Sequence, residues 1–174
     1  HDQSAVELLP KLMGLRQFGM AEDEPIMELF DAARSIPDVT IVFTWFADKL
    51  PAEIKDKIPD NILFTGFLDE PEFNALYANA NAALVLTTRE GTQPSGASEA
   101  IALGIPLVLS DIKTTRRLYK DSPVYVDNVP ESISKGIKFA LGNYEGCVSK
   151  ISGLRLSLQN EAEQQVDLLR RNIV

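Results

Sequence analysis

Cysteine and histidine are nearly absent from this sequence, with one residue of each. Cys147 alone cannot close an intramolecular disulfide, and its solitude fits a reducing compartment. One histidine and one cysteine are too few ligands for a structural zinc site. The single histidine is His1, so there is no Ser-His-Asp set. No His or Asp constellation surrounds Cys147, which argues against nucleophilic thiol chemistry. No apolar run approaches the roughly 20 residues that span a bilayer. The start, His1-Asp2-Gln3-Ser4, lacks the basic and apolar segments of a secretion signal, and His1 in place of Met reads as a processed, truncated or tagged chain. Positive charge is also scarce, with 17 Lys and Arg against 25 Asp and Glu. Nucleic-acid binding shows a basic face, so the net charge of −8 argues against that partner. The G-x-x-x-x-G-K-[ST] phosphate loop is missing, as is a G-x-G-x-x-G after the first strand. Their absence counts against a kinase, an ATPase and a nicotinamide dehydrogenase.

What is present is an alternation of apolar runs and helical periodicity. The 174 residues suffice for one domain with a sizeable core. Strands are expected at Lys11–Phe18, Val39–Thr44, Ile62–Thr65, Ala82–Leu86, Ile105–Leu109 and Val124–Val126. Helices are expected at Pro25–Ile36, Ala52–Lys57, Pro71–Ala78, Ala97–Leu103, Thr114–Tyr119 and Pro130–Leu141. Strands that are apolar throughout are buried on both faces, as in a parallel sheet with helices on each side. The expected fold is therefore α/β: a Rossmann-like, doubly wound parallel sheet of about six strands with flanking helices. Residues 1–10 read as a leftover or linker and 11–146 as the Rossmann-like domain. After the break Gly142-Asn143-Tyr144-Glu145-Gly146, a long polar helix is expected from Ser149 to Asn172, and 147–174 read as a helix packing outside the sheet. Its apolar stripe is narrow, which points to a surface not supplied by this chain.

The most informative stretch runs from Thr87 to Ala100. A strand leads into it, a short helix leaves it, and two carboxylates, Glu90 and Glu99, bracket a loop of small residues. Amides at the start of a helix can hold an anion, and the helix dipole adds partial positive charge. Carboxylates cannot attract phosphate, but they accept hydrogen bonds from hydroxyls. Phosphate donors flanked by hydroxyl acceptors suit a ligand carrying both groups, such as a nucleotide-sugar. Trp45, Gly66 and Asp111 are placed at the same strand ends, with Trp45 and Phe46 read as rim packing. Arg116 and Arg117 read as a helix face.

Four pieces in order carry a family likeness: Asn61–Leu68, Leu76–Leu86, Glu90-Gly91 and Ser98–Asp111. Together they resemble the donor-binding, C-terminal half of retaining glycosyltransferases of the GT-B fold, group 1 or family 4-like, over about residues 11 to 141. The resemblance implies that Glu90 contacts hydroxyls of the donor sugar and that Glu99 holds the ribose hydroxyls. It implies that the amides of Ser95, Gly96, Ala97 and Ser98 face the pyrophosphate, with Phe67 and Leu68 beyond Gly66 lining the base pocket. It also implies an Arg and a Lys that neutralise the leaving diphosphate. Arg16 is the candidate for the first. The Lys position falls near the acidic Asp23-Glu24, and Lys49 is the candidate substitute. No metal or other cofactor is implied, since cations take its place. The spacing from Glu90 to Glu99 is one residue longer than in the family, so the loop bulges or the helix starts later.

The resemblance further implies a partner half, an N-terminal acceptor domain that this chain lacks. The function expected of the whole is transfer of a hexosyl group from a nucleoside-diphosphate sugar, with UDP or GDP, to a saccharide or lipid-linked acceptor, as in polysaccharide biosynthesis. The expected setting is cytoplasmic, with peripheral association of the whole enzyme at the inner face of the membrane left open. The isolated chain is expected to bind donor weakly and to transfer nothing. Two alternatives stay open: a non-catalytic GT-B-like interaction module, and half of a nucleotide-sugar epimerase or hydrolase.

Overall fold

The computed structural model describes residues 24–172 and the backbone of Lys11–Leu15. Six strands form one parallel sheet: β1 (Lys11–Leu15), β2 (Val39–Phe43), β3 (Ile62–Phe64), β4 (Ala82–Val85), β5 (Leu107–Ser110) and β6 (Val124–Val126). Their order is β3-β2-β1-β4-β5-β6. The chain builds outward from β1 to β3, then returns to place β4 on the other side of β1. That reversal is the switch point beside which such sheets bind ligands.

Seven helices connect and flank the described strands: α1 (Ile26–Arg34), α2 (Ala52–Lys55), α3 (Glu70–Asn79), α4 (Ser95–Leu103), α5 (Lys113–Tyr119), α6 (Pro130–Gly142) and α7 (Tyr144–Arg171). The pleat sorts the side chains of the central strands onto two faces. Ala82, Leu84, Val108 and Val126 join Leu29 and Phe30 of α1 and Ile133 and Ile137 of α6 in one core. Ala83, Leu107 and Leu109 join Tyr77 of α3, Ala97 and Ile101 of α4, Tyr119 of α5 and Ile151 of α7 in the other. Each large apolar side chain buried this way stabilises the fold by about 1.5–3 kcal/mol. No described helix is long and apolar enough to cross a membrane.

Local chemistry sets the element ends. Asp69 and Glu72 form a reciprocal capping box that starts α3, with Asp69 accepting from the Glu72 N–H at 2.9 Å and Glu72 accepting from the Asp69 N–H at 3.1 Å. Gly104, at φ 72°, ends α4 in the left-handed conformation that glycine tolerates. Asn61 ties the start of β3 to α1, its amide donating to the carbonyls of Ala33, Ile36 and Val39 at 2.9–3.1 Å.

Helices α1 and α2 end two residues earlier than expected, at Arg34 and Lys55, and three further boundaries shift. Helix α4 begins at Ser95, two residues before the apolar periodicity. Helix α7 begins at Tyr144, so the expected break shrinks to Asn143. The Asn143 side chain folds over the first turn of α7, where a Cβ on Gly146 would lie 2.7 Å from its Oδ1; the glycine that resembles a breaker is what admits this contact. Strand β5 starts at Leu107 rather than Ile105. Pro106 has no N–H to give the ladder, and its carbonyl instead accepts from Ala83 at 2.8 Å.

Candidate functional site

A cleft of about 620 Å³ opens beyond the carboxyl ends of β2 and β3. Thr44, Trp45 and Phe46 leave β2 and form one wall. Phe67 and Leu68 leave β3, and Glu70, Phe73 and Asn74 of α3 continue that side. Glu99, Ala102 and Leu103 of α4 close it. The walls are mainly apolar and aromatic with few polar groups, the usual make-up of a small-molecule site. Trp45 and Phe46 therefore line the cleft instead of serving as rim packing; their rings sit 6.0 Å apart, edge to face.

Gly66 shapes the entrance. Its N–H donates to the Trp45 carbonyl at 2.9 Å, after Thr65 has donated to Phe43 at the same distance. The chain then turns at φ 73°, where a Cβ would strain the backbone and press on the Phe46 ring at 3.4 Å. The turn throws Phe67 outward, leaving it 77% exposed beside the cleft.

Helix α4 supplies the polar end. Pro94 precedes it and gives no side-chain cap. Ser95, Gly96, Ala97 and Ser98 all fall in its first turn, Gly96 and Ala97 buried and Ser95 exposed. The Ala97 and Ser98 N–H groups donate to the Pro94 carbonyl at 3.2 and 3.4 Å, and the helix dipole makes this end partly positive. Glu99 begins the next turn, half-buried and lining the cleft. Glu99, Phe67 and Leu68 are thus brought to one cavity, with Gly66 beside it and the Ser95–Ser98 turn on the helix that closes it.

Glu90 lies elsewhere in the constellation. Its Oε1 accepts from the Lys113 N–H at 3.0 Å, and its Oε2 accepts from the Thr114 N–H at 2.9 Å and the Thr114 hydroxyl at 2.5 Å. The carboxylate therefore caps the start of α5, which follows the neighbouring strand β5. The Thr114 hydroxyl and then the Thr114 N–H hold its pKa below the usual carboxylate range, helped by the N–H and charge of Lys113. Between Glu90 and α4 the chain passes through the exposed turn Gly91-Thr92-Gln93, where Gly91 takes φ 80° with open space around it.

The loop is anchored at its base by a closed polar ring. Ser110, fully buried at the end of β5, accepts from the Thr87 N–H at 2.9 Å and donates to Asn128 Oδ1 at 2.6 Å. Asn128 returns a bond to the Thr87 carbonyl at 2.9 Å. Their pairing carried no sequence signal. Arg116 is engaged nearby: it grips Asp111 through two 2.7 Å bonds and lies 3.8 Å over the Tyr125 ring. Lys49 is exposed, in a 3-10 turn (Ala47–Lys49) just past Phe46, and is not among the cleft's lining residues. Arg16 lies outside the described residues. Cys147 is buried, and burial raises its pKa, which disfavours the nucleophilic thiolate.

The family model for the group 1 glycosyl transferases matches residues 48–164. The chain belongs to this family. No curated protein matches it. Among solved structures it resembles sucrose-phosphate synthase from Thermosynechococcus elongatus, with a TM-score of 0.70 and 18% identity over 94% of this chain and 45% of that one. It also resembles Anabaena Alr3699/HepE in complex with UDP, with a TM-score of 0.72 and 13% identity over 93% and 49%. A third is the catalytic domain of cholesterol-alpha-glucosyltransferase from Helicobacter pylori, at 0.68 and 17%, over 88% of this chain and 99% of that one. The group 1 chain thus spans less than half the length of the synthase and of the Anabaena protein. Its fold is a Rossmann-like half of the GT-B architecture.

Proposed function

We propose that this chain is the donor-binding half of a glycosyltransferase that moves a hexosyl group from a nucleoside-diphosphate sugar to a saccharide or lipid-linked acceptor. The observation that carries the reading is the aromatic cleft at the sheet's carboxyl edge, closed by the helix whose first turn has no side-chain cap. In this reading the base lies along Phe67 and Leu68, Glu99 takes the ribose hydroxyls, and the amides of Ser95 to Ser98 face the diphosphate. Transfer develops negative charge on the leaving diphosphate. Preorganised amides and cations stabilise it without reorganising during the reaction. Arg16 and Lys49 are the cations assigned to that charge, in the place of a metal. Glu90 is assigned to the sugar hydroxyls. The acceptor would be held by an N-terminal half outside this chain, through which the whole enzyme could meet the inner face of a membrane from the cytoplasm. The chain alone would bind donor and transfer nothing.

Calorimetric titration with UDP and GDP tests the reading. Binding of one of them in the millimolar range or tighter, weakened by Glu99→Ala, supports it. One observation favours a second reading, a non-catalytic module on the same fold: the Glu90 carboxylate already accepts three hydrogen bonds from α5. Absence of binding by both diphosphates, with Glu99→Ala inert, would select that module.

A further inference from the structure

Thr114 occupies an unusual position for a residue in the first turn of a seven-residue helix. The residue is 7% exposed, buried between α5 and the loop that follows β4. The hydroxyl accepts the Gly91 N–H at 2.8 Å. A hydroxyl has one proton to give, and this one goes to Glu90 Oε2. The backbone N–H of the same residue donates to the same oxygen at 2.9 Å. Thr114 therefore supplies two of the three bonds to the Glu90 carboxylate and also fixes the residue after it. Gly91 is the left-handed turn from which the chain runs to the first turn of α4. One side chain thus ties the carboxylate to the loop that leads into the amide-presenting helix.

A carboxylate offers about four lone-pair directions. Lys113 and Thr114 occupy three at Glu90. We infer that Thr114 is a positioning residue: it aims the remaining lone pair of Glu90 at a donor-sugar hydroxyl. This inference rests on the nucleotide-sugar reading for its ligand, but the geometry at Glu90 stands on its own. Lys113 is the charged group that acts on Glu90 through space. A threonine one element away would then govern recognition of the sugar and leave recognition of the nucleotide to the aromatic cleft.

Two readouts on Thr114→Val, with Thr114→Ser as the conservative rescue, test this. Valine keeps the shape and removes the hydroxyl. The first readout is the pH titration of the Glu90 side-chain carboxyl by carbon NMR in the unliganded chain. Its midpoint is expected to rise in Thr114→Val and to return toward wild type in Thr114→Ser. The second is calorimetry with UDP and UDP-glucose, and with GDP and GDP-mannose. The nucleotide-sugar that binds is expected to lose about tenfold in affinity in Thr114→Val, the scale of one hydrogen bond to a charged group, with the parent diphosphate within about twofold of wild type. An unchanged Glu90 titration overturns the inference, as does an equal loss for sugar-bearing and sugar-free ligands. Should wild type bind none of the four, the nucleotide-sugar reading fails, and the Glu90 titration still decides whether Thr114 positions that carboxylate. If Thr114→Val does not fold, Thr114→Ala carries both readouts.

Discussion

Removal of the Ser110 hydroxyl should both destabilise the fold and loosen the loop that follows β4. Ser110 is fully buried and closes the ring with the Thr87 N–H at 2.9 Å and Asn128 Oδ1 at 2.6 Å. In Ser110→Ala the Thr87 N–H loses its acceptor and Asn128 loses a donor. A buried polar group left without its partner costs about 1–3 kcal/mol, and both groups here are only part-buried, so water relieves part of the loss. The two together should cost about 2–3 kcal/mol. For a chain of this length that lowers Tm by roughly 4–12 °C, at about 2–4 °C per kcal/mol. Urea unfolding gives the first number and differential scanning calorimetry the second. Asn128→Ala breaks the same ring from the other side, so the double mutant should cost less than the sum, by at least about 0.5 kcal/mol. A Ser110→Ala loss below about 0.5 kcal/mol, or strict additivity with Asn128→Ala, would refute the claim that this ring clamps the loop.

Three further outcomes follow from the same geometry. Gly136→Ala should destabilise by about 1–3 kcal/mol despite the better helix propensity of alanine, because the new Cβ would lie 2.2 Å from Cγ1 of buried Val126; urea midpoints check this. Lys120, the one described non-glycine residue at positive φ (51°), should tolerate Lys120→Gly with a gain of about 1 kcal/mol in unfolding experiments, since strain there exceeds its exposed ion pair with Glu161. Acid should unfold the chain partly through Glu90 and Asp111, whose folded pKa values lie below the ordinary ones, Glu90 through Thr114 and Asp111 through the Arg116 hydrogen bonds. Groups depressed in this way stabilise fully above their unfolded pKa of about 4 and lose that contribution as pH falls through the folded values. Unfolding midpoints between about pH 5 and pH 2 should therefore drop less steeply in Glu90→Gln than in wild type.

The fold was largely legible because its signals are local. Continuous apolar runs such as Ala82–Leu84 and Leu107–Leu109 mark strands covered on both faces, and the structure buries them there. Ends were less legible. Gly146 looks like a breaker but lies inside α7, because its missing Cβ makes room for Asn143. Ser95 lies outside the apolar period yet starts α4, since helix starts follow backbone geometry after Pro94 and not hydrophobicity. In the candidate site, Phe67, Leu68 and Glu99 follow strand and helix ends that periodicity locates, and they share the cleft. Thr114, Ser110 and Asn128 were not legible. A buried hydroxyl in a short helix or at a strand end looks like any other small polar residue until its distant partners are known. The capped state of Glu90 was hidden for the same reason: its partners lie 23 and 24 residues further along the chain.

The central claim is that the cleft and the first turn of α4 together take a nucleoside diphosphate. An amide NMR titration of the chain with UDP and with GDP, each to about 5 mM (a Kd of 1 mM is about −4.1 kcal/mol), tests it most directly. The account predicts saturable shifts concentrated at Gly66, Phe67 and Leu68 and at Ser95 to Glu99, for at least one of the two. Shifts confined to other parts of the sheet, or none with either nucleotide, would contradict it.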